Sequence, residues 1–375
     1  MPYRFLNYDL PRDRIAQLPA AATGERSDSR LLHAMASEDG LLLEDLRVRD
    51  IARLFLPGDL LILNNSRVRP ARFFARHMEK NIDTNLSAPR EIEVLLVNRI
   101  SHTEKNERWS ALARPMRQLR AGDRVRLSPN LIADVIGREE SQDRIILDLM
   151  IDDKTDENNI ADIIESEGLM PIPGYIRAGR ADEKDIQFYQ TVFAKESGSI
   201  AAPTAGLHFT EELLKELTEL GVDIEFVSLH VGVASFAPVR DIAAHQMPSE
   251  HFIVRRAVLE KIKKTREGGG RVVAVGTTAV RALESSMSMV EQSDLAKMGE
   301  KIEGDTEIFI KPGHKFAAVD VLMTNFHQPE TTHLLLVAAF IGEENVEPIY
   351  EHALRHEYRF LSYGDAMFLE RIAEQ

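Results

Sequence analysis

The sequence predicts a mixed α/β protein, in which a helix-covered, largely parallel sheet domain carries an inserted small β-barrel domain. From about residue 160 onward, apolar strands alternate with helices, which is typical of a parallel sheet with both faces covered. Between residues 68 and 151, short strands follow one another with tight turns, which favours a small barrel or sandwich. The predicted boundaries are residues 1–67 and 152–375 for the α/β domain and 68–151 for the insert.

The N-terminal segment begins with a predicted short strand, Arg4–Tyr8, followed by proline-bounded turns. Gly58–Asp59 reads as a turn, and the fully apolar run Leu60–Leu63 reads as a buried strand that ends at Asn64–Ser66.

The insert contains six predicted strands, and an acidic, polar stretch at Ile151–Asn159 marks its end. The polar segment Glu79–Arg90 reads as a loop or hairpin tip. The strands are Arg72–Arg76, Ile92–Asn98, Trp109–Arg114, Asp123–Ser128, Leu131–Ile136 and Arg144–Leu149.

The C-terminal part begins with a well-marked helix: Thr210 is a good N-cap, leucines form an apolar stripe, and Gly221 ends it. Strands are predicted at Val222–Leu229, Arg271–Val275, Glu307–Ile310 and Val319–Met323. Further helices are predicted at Ala257–Lys264, from Ala279, and at Thr332–Ile341 and Val346–Tyr358.

Composition limits the function classes. The chain of 375 residues has no cysteine, which excludes disulfides, thiolate metal sites and a cysteine nucleophile. The net charge of -14 argues against nucleic-acid binding by the whole surface. The longest apolar run, Leu334–Ile341, is too short to span a bilayer, and residues 1–12 do not resemble a signal peptide. We therefore expect a cytoplasmic protein with no membrane contact.

Five polar loops follow predicted strands: Asn64–Arg67, Gly198–Thr210, His230–Pro238, Gly276–Arg281 and Thr324–Thr332. Ligands of open α/β sheets bind at the carboxyl ends of strands, so this layout predicts an active site. The loops contain His208, His230 and His327, with His245 shortly after, and histidine suits proton transfer near neutral pH. For any one of them, a structural, hydrogen-bonded histidine is the more common outcome. HExxH and GxSxG are absent, which argues against a catalytic zinc site and a serine hydrolase.

Gly276–Thr278 precedes a predicted helix, where exposed N–H groups favour a carboxylate or phosphate, and Arg281 lies one turn further. The alternative is a plain threonine cap with Arg281 on a solvated face. Tyr363 and Asp365 occupy a late turn, where Asp365 is either functional or the cap of a short helix.

Basic residues cluster in two places despite the acidic total. The first cluster lies between residues 64 and 80 and contains five basic residues and one acidic residue, Glu79. The basic residues are Arg67, Arg69, Arg72, Arg76 and Lys80. The second cluster contains the six arginines between residues 108 and 126 and one acidic residue, Asp123. With Trp109, the only tryptophan, they suggest a surface that contacts an RNA backbone and stacks a base. The alternative is a solvated β surface with Trp109 in the core.

Six segments in the same order resemble the signature blocks of the S-adenosylmethionine:tRNA ribosyltransferase-isomerase family, from the first predicted buried strand to the C-terminal region. They are GDLLILNNSRVRP (58–70), YQTVFAKESGSIAAPTAGLHFT (189–210), LHVGVASFAPV (229–239), VGTTAVRALES (275–285), TNFHQPETT (324–332) and YRFLSYGDAM (358–367). Departures include Ala234–Ser235 where the family usually has Gly–Thr, and Pro248 where it usually has His.

The resemblance implies an enzyme of queuosine biosynthesis. It would join the ribosyl group of S-adenosylmethionine to 7-aminomethyl-7-deazaguanine at the wobble position of tRNA, with rearrangement to epoxyqueuosine and release of adenine and methionine. It implies tRNA, through its anticodon region, and S-adenosylmethionine as partners, no cofactor beyond that co-substrate, and no metal. We expect a monomer. Two other classes stay open: a non-catalytic RNA-binding protein, and a transferase or lyase acting on a free nucleoside.

The resemblance also suggests roles for individual residues. Proton transfer is expected from His208, His230 and His327, with Asp365 as a lesser candidate. Aromatic contact with the sulfonium is expected from Phe209, Phe236 and Tyr363, and contact with a carboxylate or phosphate from Gly276, Thr277, Thr278 and Arg281. Asn64 and Asn65 are expected to contact the base or ribose. Other expected substrate contacts are Arg67, Pro203, Thr204, Gly206, Gly232 and Asn325; expected RNA contacts are Arg69, Arg72, Arg114, Arg117 and Arg120.

Overall fold

The computed structural model describes residues 4–37, 40–78, 91–103, 106–139, 143–152, 159–232, 242, 244–291 and 298–371. The chain forms two compact units. The sheet unit comprises Met1–Val68, Pro173–Ala178 and Phe188–Gln375, and the ring unit comprises Arg69–Ile172 and Gly179–Gln187.

Strands and helices are numbered in chain order. The strands are β1 (Arg30–Ser37), β2 (Gly40–Arg47), β3 (Leu60–Asn64), β4 (Ser66–Val68), β5 (Arg72–His77), β6 (Ile92–His102), β7 (Asn106–Arg114), β8 (Arg124–Arg126), β9 (Leu131–Glu139), β10 (Arg144–Ile151), β11 (Glu196–Ser199), β12 (Asp223–Leu229), β13 (Glu250–Arg255), β14 (Val272–Val275), β15 (Lys301–Thr306), β16 (Val321–Asn325) and β17 (Ala366–Glu370). The helices are α1 (Ile160–Glu167), α2 (Asp185–Phe188), α3 (Glu211–Glu219), α4 (Arg256–Glu267), α5 (Thr277–Glu291), α6 (Thr332–Ile341) and α7 (Glu343–Arg355).

The sheet unit is mixed α/β and is built on a nine-stranded sheet in the order β15-β13-β12-β3-β14-β16-β17-β1-β2. The neighbours β12, β3, β14 and β16 are parallel, as are β17 and β1; the other four pairs are antiparallel. The prediction of a largely parallel sheet is therefore wrong. Every antiparallel pair contains a strand outside the predicted set, namely β2, β13, β15 or β17.

Alternate residues of the central strands face opposite sides of the sheet. Leu60 and Ile62 pack in a core with helices α4 to α7, whereas Leu61 and Leu63 pack in a second core with α3. Both faces are covered, which explains the uninterrupted apolar run that predicted this strand.

The ring unit holds six antiparallel strands that hydrogen-bond in a closed order, β10-β7-β6-β5-β8-β9. All six correspond to predicted strands. Their inward side chains form a separate core that includes Trp109 and three isoleucines of α1. The segment Glu79–Arg90 lies outside the described residues.

Other expectations fare differently. The predicted strand Arg4–Tyr8 is wrong, because Arg4–Leu6 forms a 3-10 helix. Glu307–Ile310 is not a strand either; β15 lies just before it. The Thr210 cap is confirmed, since its side chain accepts a hydrogen bond from the Leu213 amide at 3.1 Å. Within the described residues, no helix is long and apolar enough to cross a membrane.

Candidate active site

A cleft of about 680 Å³, counted with the solvent at its mouth, opens at the carboxyl ends of neighbouring parallel strands of the sheet unit. Val231 lies just after β12, Gly276 follows β14, and Asn325 ends β16. Four of the five predicted strand-end loops therefore contribute residues to this cleft, whereas no residue of the Asn64–Arg67 loop is among the described residues that line it. Because backbone amides and short polar side chains share one edge of the sheet, the cleft is suited to a polar ligand.

The start of α5 forms the floor of the cleft. Gly276 has φ +86°, a conformation that glycine adopts easily, and its amide donates to the Met323 carbonyl at 2.7 Å. Thr277 and Thr278 follow and also line the cleft. The N–H groups of this first turn have no partner within the helix and favour an anion.

Asn64 hydrogen-bonds to Thr278 at the start of α5, but it is not among the described residues that line the cleft. Its side-chain nitrogen donates to the Leu229 carbonyl at 3.1 Å and to Thr278 Oγ1 at 3.0 Å. Its oxygen accepts from the amides of Ser66 and Leu229. All its hydrogen-bonding capacity is used within the protein, so its geometry favours a positioning role over direct contact with the substrate. Asn65 bonds Ser228 Oγ at 2.7 Å and also lies outside the cleft lining.

A chain of hydrogen bonds joins three cleft loops. Thr204 Oγ1 donates to Asn325 Oδ1 at 2.8 Å, and Asn325 Nδ2 donates to the Leu361 carbonyl at 3.2 Å. Pro203, Thr204 and Asn325 were all expected at the site, and each lines the cleft. The chain fixes the orientation of the Asn325 amide.

His327 and His333 line the cleft with their rings stacked at 5.1 Å. Thr324 Oγ1 lies 3.0 Å from His327 Nε2. Burial holds the pKa of His327 well below its ordinary value. Burial and the nearby Arg281 charge lower the pKa of His333 to about 4. Both rings are neutral at pH 7, so either can accept a proton.

His208 lies outside the cleft lining. Its Nδ1 is 3.0 Å from the Ala205 carbonyl and its Nε2 is 3.0 Å from the Gly364 carbonyl. Burial lowers its pKa, and these two contacts oppose that shift. A neutral ring can donate to only one carbonyl. The contacts tie the 201–210 loop to the turn before β17, and a role for His208 in proton transfer stays a prediction.

Asp365 is buried in the same turn and accepts hydrogen bonds from the amides of Arg30 at 3.0 Å and Arg359 at 2.7 Å. β17 begins at the next residue, so the alternative that Asp365 caps a helix is wrong. Tyr363 is buried with its ring 6.0 Å from that of Tyr189. Neither Asp365 nor Tyr363 lines the cleft.

Several other predicted residues also lie away from the cleft lining. Phe209 is buried in the core beside α3, and Gly206 packs against Phe193 and Thr191. His230 stacks on His251 at 6.3 Å, and the Gly232 amide donates to Glu250 at 2.9 Å. Arg67 lies on β4, and His245 packs on Phe309. Phe236 and the departures Ala234–Ser235 lie outside the described residues.

Six polar residues that line the cleft were not individually predicted: Tyr175, Thr324, Gln328, Thr331, His333 and Ser362. Five of them lie in or directly beside the sequence blocks, which is the signal that could have identified them. Tyr175 lies outside every block. Its hydroxyl is 2.7 Å from Ser362 Oγ, and burial raises its pKa to about 12.

The six arginines between residues 108 and 126 separate into two groups. Arg108 and Arg124 each bind an aspartate of another strand through two contacts of 2.6 and 2.7 Å, and Arg126 pairs with Asp152 at 2.6 Å. Arg114, Arg117 and Arg120 are exposed, and none of the three forms an ion pair with a described residue. The local excess of positive charge is therefore carried by these last three.

The expectation of RNA contact is wrong for Arg72, and the alternative that places Trp109 in the core is confirmed. Arg72 is 8% exposed and is held by the carbonyls of Ile172 and Gly179 and by Glu93, so its guanidinium is committed inside the protein. Trp109 is buried in the core of the ring unit, and its indole donates to Glu107 at 2.8 Å. Arg69 lies 5.0 Å above the Trp109 ring.

Asp45, His352 and His356 form a group with side-chain oxygen and nitrogen atoms within 4.8 Å of one another. None of the three is among the described residues that line the cleft. The expectation that catalysis involves no metal stays a prediction.

The model of the queuosine biosynthesis protein family matches residues 4–369. An S-adenosylmethionine:tRNA ribosyltransferase-isomerase of Clostridioides difficile (strain 630) is 41% identical over 374 residues, covering 99% of this chain and 100% of that protein. One of Jannaschia sp. (strain CCS1) is 40% identical over 97% of this chain and 96% of its own length. A crystal structure of the S-adenosylmethionine tRNA ribosyltransferase of Thermotoga maritima has a TM-score of 0.52 and 32% identity, covering 97% of this chain and 99% of that one.

Proposed function

Because the chain belongs to the queuosine biosynthesis protein family, we propose that it is an S-adenosylmethionine:tRNA ribosyltransferase-isomerase. It transfers the ribosyl group of S-adenosylmethionine to 7-aminomethyl-7-deazaguanine at the tRNA wobble position and rearranges it to give epoxyqueuosine. The observation that carries the proposal is the cleft at the parallel strand ends, because loops of the 189–210, 275–285 and 324–332 blocks form its walls.

The reaction begins with removal of a proton from the ribose 5′ carbon, which the adjacent sulfonium acidifies. His327 and His333 are the titratable histidines in the described cleft lining, and both are neutral at pH 7. A neutral imidazole can take that proton as a general base. An imidazolium with a low pKa is a strong acid, so the same ring can return the proton to the departing adenine.

The other cleft groups position the co-substrate. Thr277 and Thr278 at the start of α5 offer N–H groups to an anionic group, and the oriented Asn325 amide offers a donor and an acceptor to the ribose or base. Phe209 and Tyr363, which were expected to contact the sulfonium, are buried outside the lining. Among the described residues, Tyr175 contributes a phenol ring to the cleft wall.

We assign the RNA contact to Arg114, Arg117 and Arg120, which are exposed and have no ion pair with a described residue. The RNA contact is to the anticodon region of tRNA. The ring unit is the inserted β-barrel domain, and the enzyme is a monomer in the cytoplasm. No cofactor is needed beyond the co-substrate.

One assay tests the proposed function. The protein is mixed with S-adenosylmethionine and an anticodon stem-loop that carries the aminomethyl base, and free adenine is measured. We expect adenine in an amount equal to modified RNA, and none with a stem-loop that carries guanine. RNA binding without adenine release would favour the binding-protein alternative. Adenine release with the free nucleoside would favour the other transferase or lyase.

A further inference from the structure

The buried ion pair between Arg281 and Glu250 is incompletely satisfied. Arg281 is 7% exposed and Glu250 is 2% exposed. Arg281 Nη1 donates to Glu250 Oε2, and Glu250 Oε1 accepts from the Gly232 amide. Arg281 Nε and Nη2 have no hydrogen-bond partner among the described residues. A buried donor without a partner is costly and rare in a native protein, so this edge of the guanidinium requires an explanation.

The Nε and Nη2 edge of arginine binds a carboxylate with two parallel hydrogen bonds. The protein contains this geometry elsewhere: Arg108 holds Asp148 at 2.6 and 2.7 Å through the same two atoms, and Arg124 holds Asp134 in the same way. In Arg281 the edge has no partner among the described residues, while Glu250 occupies the remaining nitrogen.

A small pocket of about 300 Å³, counted with the solvent at its mouth, lies against Arg281. Its walls are mainly apolar, with Met247, Ile308 and Leu336 among them. Thr277 and His333 line both this pocket and the larger cleft, which places Arg281 next to the cleft, one turn beyond the start of α5. The helix N-terminus and the open guanidinium edge therefore favour the same kind of ligand, a small anion attached to an apolar chain.

We propose that Arg281, positioned by Glu250, binds the α-carboxylate of the methionine arm of S-adenosylmethionine. The apolar walls contact the methylene groups of that arm, and the sulfonium and ribose then lie toward His333 and His327. This inference rests on the proposed function. A flat carboxylate matches the two donors of the open edge, and an RNA phosphate would have to enter with its strand to reach a side chain buried this deeply.

The test compares S-adenosylmethionine with its decarboxylated analogue, S-adenosyl-3-methylthiopropylamine. In the wild type, we expect kcat/KM for adenine release to be on the order of 10²-fold higher with the carboxylate present, as for a lost charged hydrogen-bonded pair. In Arg281→Gln/Glu250→Gln, which replaces the ion pair with two amides, the preference should fall to within about threefold. Because both compounds are tested on the same preparation of a variant, the ratio of their kcat/KM values does not depend on the fraction of that variant that is folded.

Arg266→Gln/Asp320→Asn is the matched control, because it removes an arginine–aspartate pair joined through the same edge outside the cleft lining. It should keep the wild-type preference. Equal use of both compounds by the wild type, or an unchanged preference in the Arg281 variant, overturns the proposal.

Calorimetric binding of the two compounds without RNA separates this proposal from the proposed function. Tighter binding of the carboxylate compound to the wild type, lost in the Arg281 variant, supports the subsite even if no adenine is released. A variant that binds both compounds as the wild type does, but binds the stem-loop more weakly, would assign Arg281 to a phosphate and overturn the proposal.

Discussion

Asn64 and Asn65 are adjacent and chemically identical, but the structure predicts very different consequences of their loss. Asn64 is 1% exposed and makes four hydrogen bonds, three of them to backbone groups of Ser66 and Leu229. Each such bond contributes about 0.5–1.5 kcal/mol, and more where a buried backbone group is left without a partner. Asn64→Ala should therefore lower the free energy of unfolding by about 3–5 kcal/mol.

Asn65→Ala is the matched control, because the Asn65 side chain makes one hydrogen bond, to Ser228, among those resolved in the described residues. We expect it to cost about 1 kcal/mol. Urea denaturation followed by far-UV circular dichroism measures both values. Asn64 also fixes Thr278, so the KM for S-adenosylmethionine should rise in Asn64→Ala and stay near wild type in Asn65→Ala. Equal losses of stability in the two variants would refute the reasoning.

Three further predictions follow from the site. His327→Ala should lower kcat by roughly 10²-fold, the usual scale for a lost general base. His208→Ala should mainly lower the melting temperature. A larger loss of kcat in His208→Ala than in His327→Ala would instead assign proton transfer to His208. The pKa of His333 is about 4 in the folded protein and about 6.5 when unfolded, so unfolding takes up a proton between these values. The free energy of unfolding should fall as the pH drops from 6.5 to 4, and urea titrations of His333→Gln should show a shallower fall. Replacing Arg114, Arg117 and Arg120 with alanine should weaken stem-loop binding and reduce its salt slope by up to about 2–3, whereas Arg72→Lys, if folded, should leave the slope unchanged.

Local sequence signals predicted the elements that depend on local chemistry. The run Leu60–Leu63 identified a strand covered on both faces, and Thr210 identified the start of α3. The loops Gly198–Thr210, Gly276–Arg281 and Thr324–Thr332 were identified because short polar residues follow apolar strands, and the family resemblance singled out Thr204 and Asn325 within them.

Features that depend on distant partners were not predictable in this way. Charge counting placed Arg108 in a basic cluster, but Asp148, forty residues later, neutralises it. The burial of Arg72 depends on carbonyls 100 and 107 residues away. A histidine in a polar loop can face either a cleft or a pair of carbonyls, and only the fold distinguishes His327 from His208.

The position of β17 has a consequence for synthesis of the chain. This strand lies between β16 and β1, and it pairs Ala366 with Leu31 across most of the sequence. Until residue 370 has left the ribosome, the β1–β2 hairpin has no partner in the rest of the sheet, and β16 has a bare edge. Such an edge is prone to pair with other chains, and pairings this distant in sequence form slowly. Pairing of β17 therefore both covers these two edges and fixes the turn that carries Leu361 and Ser362 into the cleft.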